Sequence, residues 1–564
     1  VHGKLRLRNV LLALLSISIL SGSAALASPA CDTDLVIVNA TVYTVDPKNP
    51  VARSIAVKNG RVQSVSDAAA LDCPGAVRLD LGGAFVYPGF TDSHIHLLEA
   101  GYRELTLDLR AATSLEDAMA RVRARAQEVA PGQWVEGLGW IEKYWPEPRF
   151  PTRHDVDVVS AGHPVILRRS DGHTILVNTK ALQLAGIDED TPDPPNGIIQ
   201  RQADGIPNGI LIDDAMALVT SIIPAKSDAE DQEALELAIR RNVSLGWTQT
   251  QNAGGSDREL RLLEQLRAEG KLLHRLYYAL DEENSISRLI ETGPRVDPDA
   301  YLTVRTIKLF ADGALGSRGA ALKEKYADDD SKGLMFYTQE QIMPTLVGAL
   351  RNGIQVETHA IGDLANSTVL NWYEEALRRV PAGERAFQEP RWRIEHVQVI
   401  DPVDQARLAP LGVIPSMQPS HAIGDMYFAP DRLGPDRIAH AYVWRGLIEK
   451  GSIIAGGSDA PVEVGDPRIE IYAAIERRDL NGYSNDDWHR EQAVSRETAL
   501  KMFTIWPAYA AFQESIRGSI EVGKLADFTV FDRDLMEVPP SQILDAQLLM
   551  TIVDGVVVYK KAAQ

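Results

Sequence analysis

Four short apolar runs in this chain each lead into residues that bind metals, and few folds bring four such runs to one place. The first, Ala84-Phe85-Val86-Tyr87-Pro88, leads into Gly89-Phe90-Thr91-Asp92-Ser93-His94-Ile95-His96. The others are Ile354-Gln355-Val356-Glu357-Thr358-His359, Arg393-Ile394-Glu395-His396 and Ile453-Ile454-Ala455-Gly456-Gly457-Ser458-Asp459. Alternate side chains of an extended strand share a face, so His94 and His96 project the same way. Neutral imidazole nitrogen is a good ligand for zinc and its neighbours, which makes the pair half of a metal site. Taken alone it also suits a polar strand face; the three later runs favour the metal.

Between these runs apolar strands alternate with amphipathic helices. Residues 115–129, 227–245, 257–269, 338–352 and 403–408 read as helices. Val165-Ile166-Leu167, Leu276-Tyr277-Tyr278, 304–310 and Val413-Ile414-Pro415 read as buried strands. The alternation predicts an α/β protein with a (β/α)8 barrel over residues 85–512, whose catalytic residues sit at the C-terminal ends of strands. His94, His96, His359, His396 and Asp459 all fall at such ends. A stretch from about 145 to 224, rich in Pro, Gly, Asp and Asn, is too long for a βα loop and predicts a lid or inserted subdomain.

Both ends of the chain are β-rich. Asn59-Gly60 and Asp554-Gly555 each stand between β-branched runs, a strong hairpin signal. Neither end buries a core alone, so residues 34–84 and 513–562 are expected to pack as one small composite β-domain. Ahead of them, Lys4, Arg6 and Arg8, the apolar run 10–20 and Ala25-Leu26-Ala27 read as a secretory signal peptide over residues 1–27. The run is short for a membrane anchor, which is the alternative. The expectation is export to the periplasm or the medium, with no membrane association after signal removal. The two cysteines, Cys31 and Cys73, then read as one disulfide, with two unpaired thiols as the alternative. A hydrophobic content of 45% is that of a globular protein, and a net charge of −20 argues against nucleic acid as a partner.

The histidine motif, His359, His396, Gly457-Ser458-Asp459 and the closing Gly518-Ser519-Ile520-Glu521-Val522-Gly523-Lys524-Leu525-Ala526-Asp527-Phe528 together resemble the amidohydrolase superfamily. Asp171-Gly172-His173, Asn178-Thr179-Lys180-Ala181-Leu182, Lys308-Leu309-Phe310-Ala311-Asp312-Gly313 and Gly456-Gly457-Ser458-Asp459-Ala460-Pro461-Val462 are similar to its amidohydrolase-3 group of YtcJ-like metal-dependent hydrolases. The resemblance implies two divalent ions, zinc first and manganese, iron, cobalt or nickel as alternatives. His94, His96 and Asp459 would hold one ion and His359 and His396 the other, bridged by an N-carboxylated Lys308. A lysine ion-paired to Asp312 or Asp459 is the plainer reading of Lys308.

The implied reaction is hydrolysis of a non-peptide, amide-type carbon–nitrogen bond by a metal-bridging hydroxide, with Asp459 as catalytic base. Cyclic amide or imide opening, ester or lactone hydrolysis and mononuclear deamination are the alternatives of similar chemistry; an inactive metal-binding regulatory module is the alternative of another class. His173, Arg318 and His421 are candidate contacts for a small-molecule substrate, with surface or capping roles as the alternative. The resemblance also allows a homodimer.

Overall fold

The computed structural model describes residues 32–68, 73–142, 145–169, 174–195, 197–485 and 488–562. The expected signal peptide, Cys31 and His173 lie outside the described residues; Cys73 is disulfide-bonded. Among the described residues no helix is long and apolar enough to cross a membrane.

Eight strands make the central barrel: β1 (Phe90–Ile95), β2 (Trp247–Asn252), β3 (Arg275–Leu280), β4 (Leu302–Phe310), β5 (Gln355–Ala360), β6 (Arg393–His396), β7 (Ile414–Met417) and β8 (Ala455–Gly456). Each pairs in parallel with the next. Closure between β8 and β1 comes from the residues just after them. Asp459 N donates to His94 O (2.7 Å), His96 N donates to Ala460 O (2.8 Å), and Ile95 bridges Ala460. All six residues of β3 are buried, as a strand covered on both faces requires.

Crossover helices supply the outer layer. The helix Asp228–Leu245 shows how local sequence sets one: Ser227 and Glu230 form a capping box, Ala234, Leu235, Ala238 and Ile239 face inward, and left-handed Gly246 ends it.

Two glycines permit close approaches that fix β1. A Cβ on Gly89 would lie 2.2 Å from Thr248 Oγ1, and one on Gly457 would lie 2.6 Å from His94 N. Gly89 alone separates β1 from Phe85–Pro88, a strand of the β-domain. In that domain's six-stranded sheet, Phe85–Pro88 pairs with Phe528–Phe531 on one side and Thr41–Tyr43 on the other. Both termini therefore share one sheet and one core, with Ile37, Val42, Ile55 and Val86 packed against Phe528, Val530 and Ile552. Asn59-Gly60 and Asp554-Gly555 each have both residues at positive φ, the conformation of a tight type I′ hairpin.

The insertion begins earlier than its composition suggests. It contains a six-stranded sheet that starts at Leu107–Asp108 and runs to Pro207–Asp213, and it includes the helix Leu115–Glu128 and the strand Val165–Arg169. The composition shift at about 145 marks its loops rather than its start. Trp140 and Trp145 bond within it, to Leu167 O and Ala112 O.

Candidate metal centre

Period-two alternation on β1 sends Asp92, His94 and His96 toward the barrel axis. Asp92 is fully buried and accepts hydrogen bonds from Ser458 N (2.8 Å), Ser458 Oγ (2.5 Å) and His94 N (3.2 Å). It fastens the first strand to the loop that carries Asp459, and Ser458 serves as the clasp. Asp459 and His396 both adopt left-handed backbone, at φ 59° and 75°. On β6, Arg393 and Glu395 alternate inward; the turn in the chain at His396 brings the next residue round to the same side. Its ring centroid is then 4.8 Å from His94 and 4.6 Å from His359.

Hydrogen bonding on the far side of the rings fixes which nitrogen faces the centre. His94 Nδ1 lies 2.5 Å from Glu395 Oε2, and His396 Nδ1 lies 2.8 Å from Gln418 Oε1. Burial pushes the His94 imidazolium down to about 4 and that of His359 down to about 3, with Lys308 adding to each, so both rings are neutral near pH 7. Neutral His94 thus donates from Nδ1 and turns its Nε2 lone pair to the centre. Glu395 stays ionised: burial opposes this, but Arg393 outweighs it through bonds of 2.8 and 2.9 Å. The wholly buried Arg393 also donates to Gln251 Oε1 (2.5 Å), Ser93 O (2.6 Å) and Ser416 Oγ (2.9 Å). Glu357, 3.6 Å from Arg393, is raised by burial against Arg393's pull.

At the centre, Asp459 Oδ1 lies 3.3 Å from His96 Nε2 and 3.5 Å from His94 Nε2, while Oδ2 lies 3.5 Å from His421 Nε2. Burial alone would raise Asp459, yet His94, His96, His396 and His421 together hold it well below the usual carboxylate range. His94 Nε2, His359 Nε2 and Asp459 Oδ1 are buried with no hydrogen-bond partner among the described residues. Orphaned lone pairs at that depth are costly unless something binds them. Ligand atoms of His94, His396 and Asp459 all lie within 4.8 Å of one another. Two neutral imidazoles and a carboxylate are a donor set that fits a divalent ion. This trio is drawn from both of the ligand sets that the resemblance assigns to separate ions: His94 and Asp459 from one, His396 from the other.

Lys308 is 1% exposed, and its Nζ donates to Ala253 O (3.2 Å). It is not paired with Asp312, which instead accepts the N–H groups of Ala321, Ile361 and Gly362 and lies 3.6 Å from His359 Nε2.

These residues open on a cavity of about 400 Å³ lined by His96, Lys308, His359, His396, His421 and Asp459, among others. His421, on the helix Pro419–Asp425, joins the site. Arg318 does not. It sits at φ 59°, forks onto Asp328 at 3.1 and 2.8 Å, and is absent from the lining, so its expected contact with substrate is not supported by its position. No described residue of the insertion lines the cavity. A larger cavity of about 870 Å³, between Tyr43, Val413, Trp506 and Met536, contains none of the candidate ligands. Asp92, Arg393, Glu395 and Gln418 were not singled out from sequence, although Glu395 directly precedes a ligand histidine and alternates with Arg393.

A sequence profile described as the amidohydrolase family matches residues 78–559. YtcJ of Bacillus subtilis (strain 168), named as an amidohydrolase, is 33% identical over 92% of this chain and 98% of its own. The N-substituted formamide deformylase of Arthrobacter pascens is 29% identical over 94% and 98%. An uncharacterized metal-dependent hydrolase from Pyrococcus furiosus superposes with a TM-score of 0.73 at 28% identity, over 89% of this chain and 100% of that one. Family match, barrel and imidazole–carboxylate cluster agree: the chain belongs to the amidohydrolase family and is a metal-dependent hydrolase.

Proposed function

We propose that the protein hydrolyses a non-peptide, amide-type carbon–nitrogen bond of a small molecule, with Asp459 moving the proton. The observation that carries this reading is the division of labour within one carboxylate. Oδ1 faces His94 and His96, whereas Oδ2 faces His421, and the residue lines the cavity. His94, His396 and Asp459 would hold a divalent ion, which would supply Lewis acidity toward a carbonyl and lower the pKa of water. Asp459 Oδ2 takes a proton from the attacking water and returns it to the leaving nitrogen. The formamide specificity named for the Arthrobacter pascens relative supports a carbon–nitrogen bond over an ester.

The full reading is a centre of two zinc ions, for which His94, His96, His359, His396, Asp459 and a carbamylated Lys308 would be the ligands. A buried ammonium without a paired carboxylate is disfavoured, and among the described residues no carboxylate lies in ion-pair range of Lys308. Carbamylation removes that charge.

Asp459→Asn is expected to lower turnover on an amide panel by about 10²- to 10⁴-fold, while metal analysis still finds part of the metal bound. Full activity in this variant would refute the proton role. Cleavage of esters but of no amide or imide by the wild-type protein would refute the bond assignment.

A further inference from the structure

One wall of the same cavity is acidic, and proton transfer at Asp459 makes no use of it. Asp425 ends the helix Pro419–Asp425, and Glu463 lies on the loop after β8; both line the cavity. Glu463 Oε1 comes within 3.4 Å of the point a Cβ would occupy on Gly424, which sets it beside Asp425. Asp425 Oδ2 accepts from Gln398 Nε2 (2.9 Å) and Tyr442 OH (2.5 Å), which leaves Oδ1 without a protein partner among the described residues. The Glu463 carboxylate has no hydrogen-bond or ion-pair partner among the described residues. Arg103 gives its N–H groups to the backbone carbonyls of Pro461, Glu463 and Val464 instead.

Beside them stands His421, 8% exposed, with its ring on the cavity wall, Nδ1 buried without a hydrogen-bond partner among the described residues and Nε2 3.5 Å from Asp459 Oδ2. Among the described lining residues Lys308 is the sole lysine or arginine, and it sits at the ligand cluster. Arg103 lowers Glu463 from a distance but forms no ion pair with it, and half-buried carboxylates without an ion-pair partner are disfavoured unless something cationic joins them. A metal is a poor candidate: the one grouping of ligand atoms close enough to hold an ion includes neither Asp425 nor Glu463 among the described residues. Burial pushes both carboxyl groups up, His421 pulls both down, and Asp425 adds to the rise at Glu463.

We propose that Asp425 and Glu463 form a subsite for a positively charged nitrogen group, so that the substrate is an amide that also carries a protonated amine or guanidinium. Such a group donates several charge-assisted hydrogen bonds to a carboxylate pair. With Arg318 turned away onto Asp328, the described lining residues hold no arginine to receive a carboxylate-bearing substrate. The inference rests on the amide reading above, and its test separates the two.

The metal-loaded protein would be titrated calorimetrically with three compounds of equal length: a mono-acetylated alkane diamine, the uncharged N-alkylacetamide and the ω-acetamido carboxylate. Turnover of each is followed in parallel. The ammonium compound is expected to bind roughly tenfold or more tightly than the uncharged one, and the carboxylate most weakly. Glu463→Gln and Asp425→Asn should each bring the ammonium preference towards unity. Glu463→Gln is the decisive variant, because that carboxylate bonds to nothing that holds the fold together. Equal affinity for all three compounds, tightest binding of the carboxylate, or a preference that survives both substitutions would overturn the subsite. Selective ammonium binding without cleavage would uphold the subsite and refute the amide reading. Cleavage of all three without selection would do the reverse.

Discussion

Arg393 and Glu395 set the chemistry of His94 without touching the cavity themselves. Glu395 accepts the Nδ1 proton, and that fixes the tautomer that offers Nε2. Arg393 keeps Glu395 ionised and ties it to the strands that carry Gln251, Ser93 and Ser416. Glu395→Gln is therefore expected to weaken metal binding by about 10- to 100-fold, read by competition with a chromogenic chelator. Unchanged affinity would mean that His94 is oriented by packing alone. Neither residue was legible in the sequence as a functional group, because a charged residue on a strand is ordinarily read as facing solvent. Only a closed barrel gives the inward face of β6 enough polar partners to hold an arginine that is wholly buried. Arg318 went astray for the opposite reason. Its partner Asp328 stands only ten residues along the same loop, and the left-handed backbone that turns it away has no composition signal.

Among the elements, those with strong local patterns were legible: the histidine strand, the two hairpins and the capped helix beginning at Asp228. What pattern does not carry is membership. Val165–Arg169 and Leu115–Glu128 show the same periodicities as barrel elements, yet the strand belongs to the inserted sheet and the helix to the insertion around it. β8 is only two residues long and is marked by the Gly-Ser-Asp that follows it rather than by its own composition. The join between barrel and β-domain also lies in buried charge. Arg275 on β3 forks onto Asp527, just before Phe528–Phe531, at 2.8 and 3.0 Å, and Arg517 approaches Asp527 to 3.8 Å. Asp527→Asn takes from Arg275 and Arg517 the carboxylate they share, leaving Arg275 only Asp554 at 3.3 Å, and should cost about 3–5 kcal/mol in chemical unfolding. Arg275→Met should cost less, since Arg517 and the Asp554 N–H still serve Asp527. Equal losses would show that the join is held by something other than this charge.

At the scale of the whole molecule, the candidate ligands come from strand ends spread around the barrel, so a bound ion ties β1, β6 and the loop after β8 into one unit. Binding that favours the folded state raises stability with free metal, by about 2.7 kcal/mol at a hundredfold excess over Kd. The unfolding temperature is accordingly expected to climb with metal concentration and to drop on chelation; an unfolding temperature indifferent to both would place the ion outside the folded core. The composite sheet carries a further consequence, for synthesis on the ribosome. Phe85–Pro88, one residue ahead of β1, has as its neighbour a strand made from Phe528–Phe531. Phe85–Pro88 is translated long before the strand it is seated against. Domains often fold as they emerge; the β-domain sheet is completed only once Phe528–Phe531 has been made. Until then the edge of Phe85–Pro88 that faces Phe528–Phe531 lacks its partner strand, the kind of exposed edge that invites pairing with another chain.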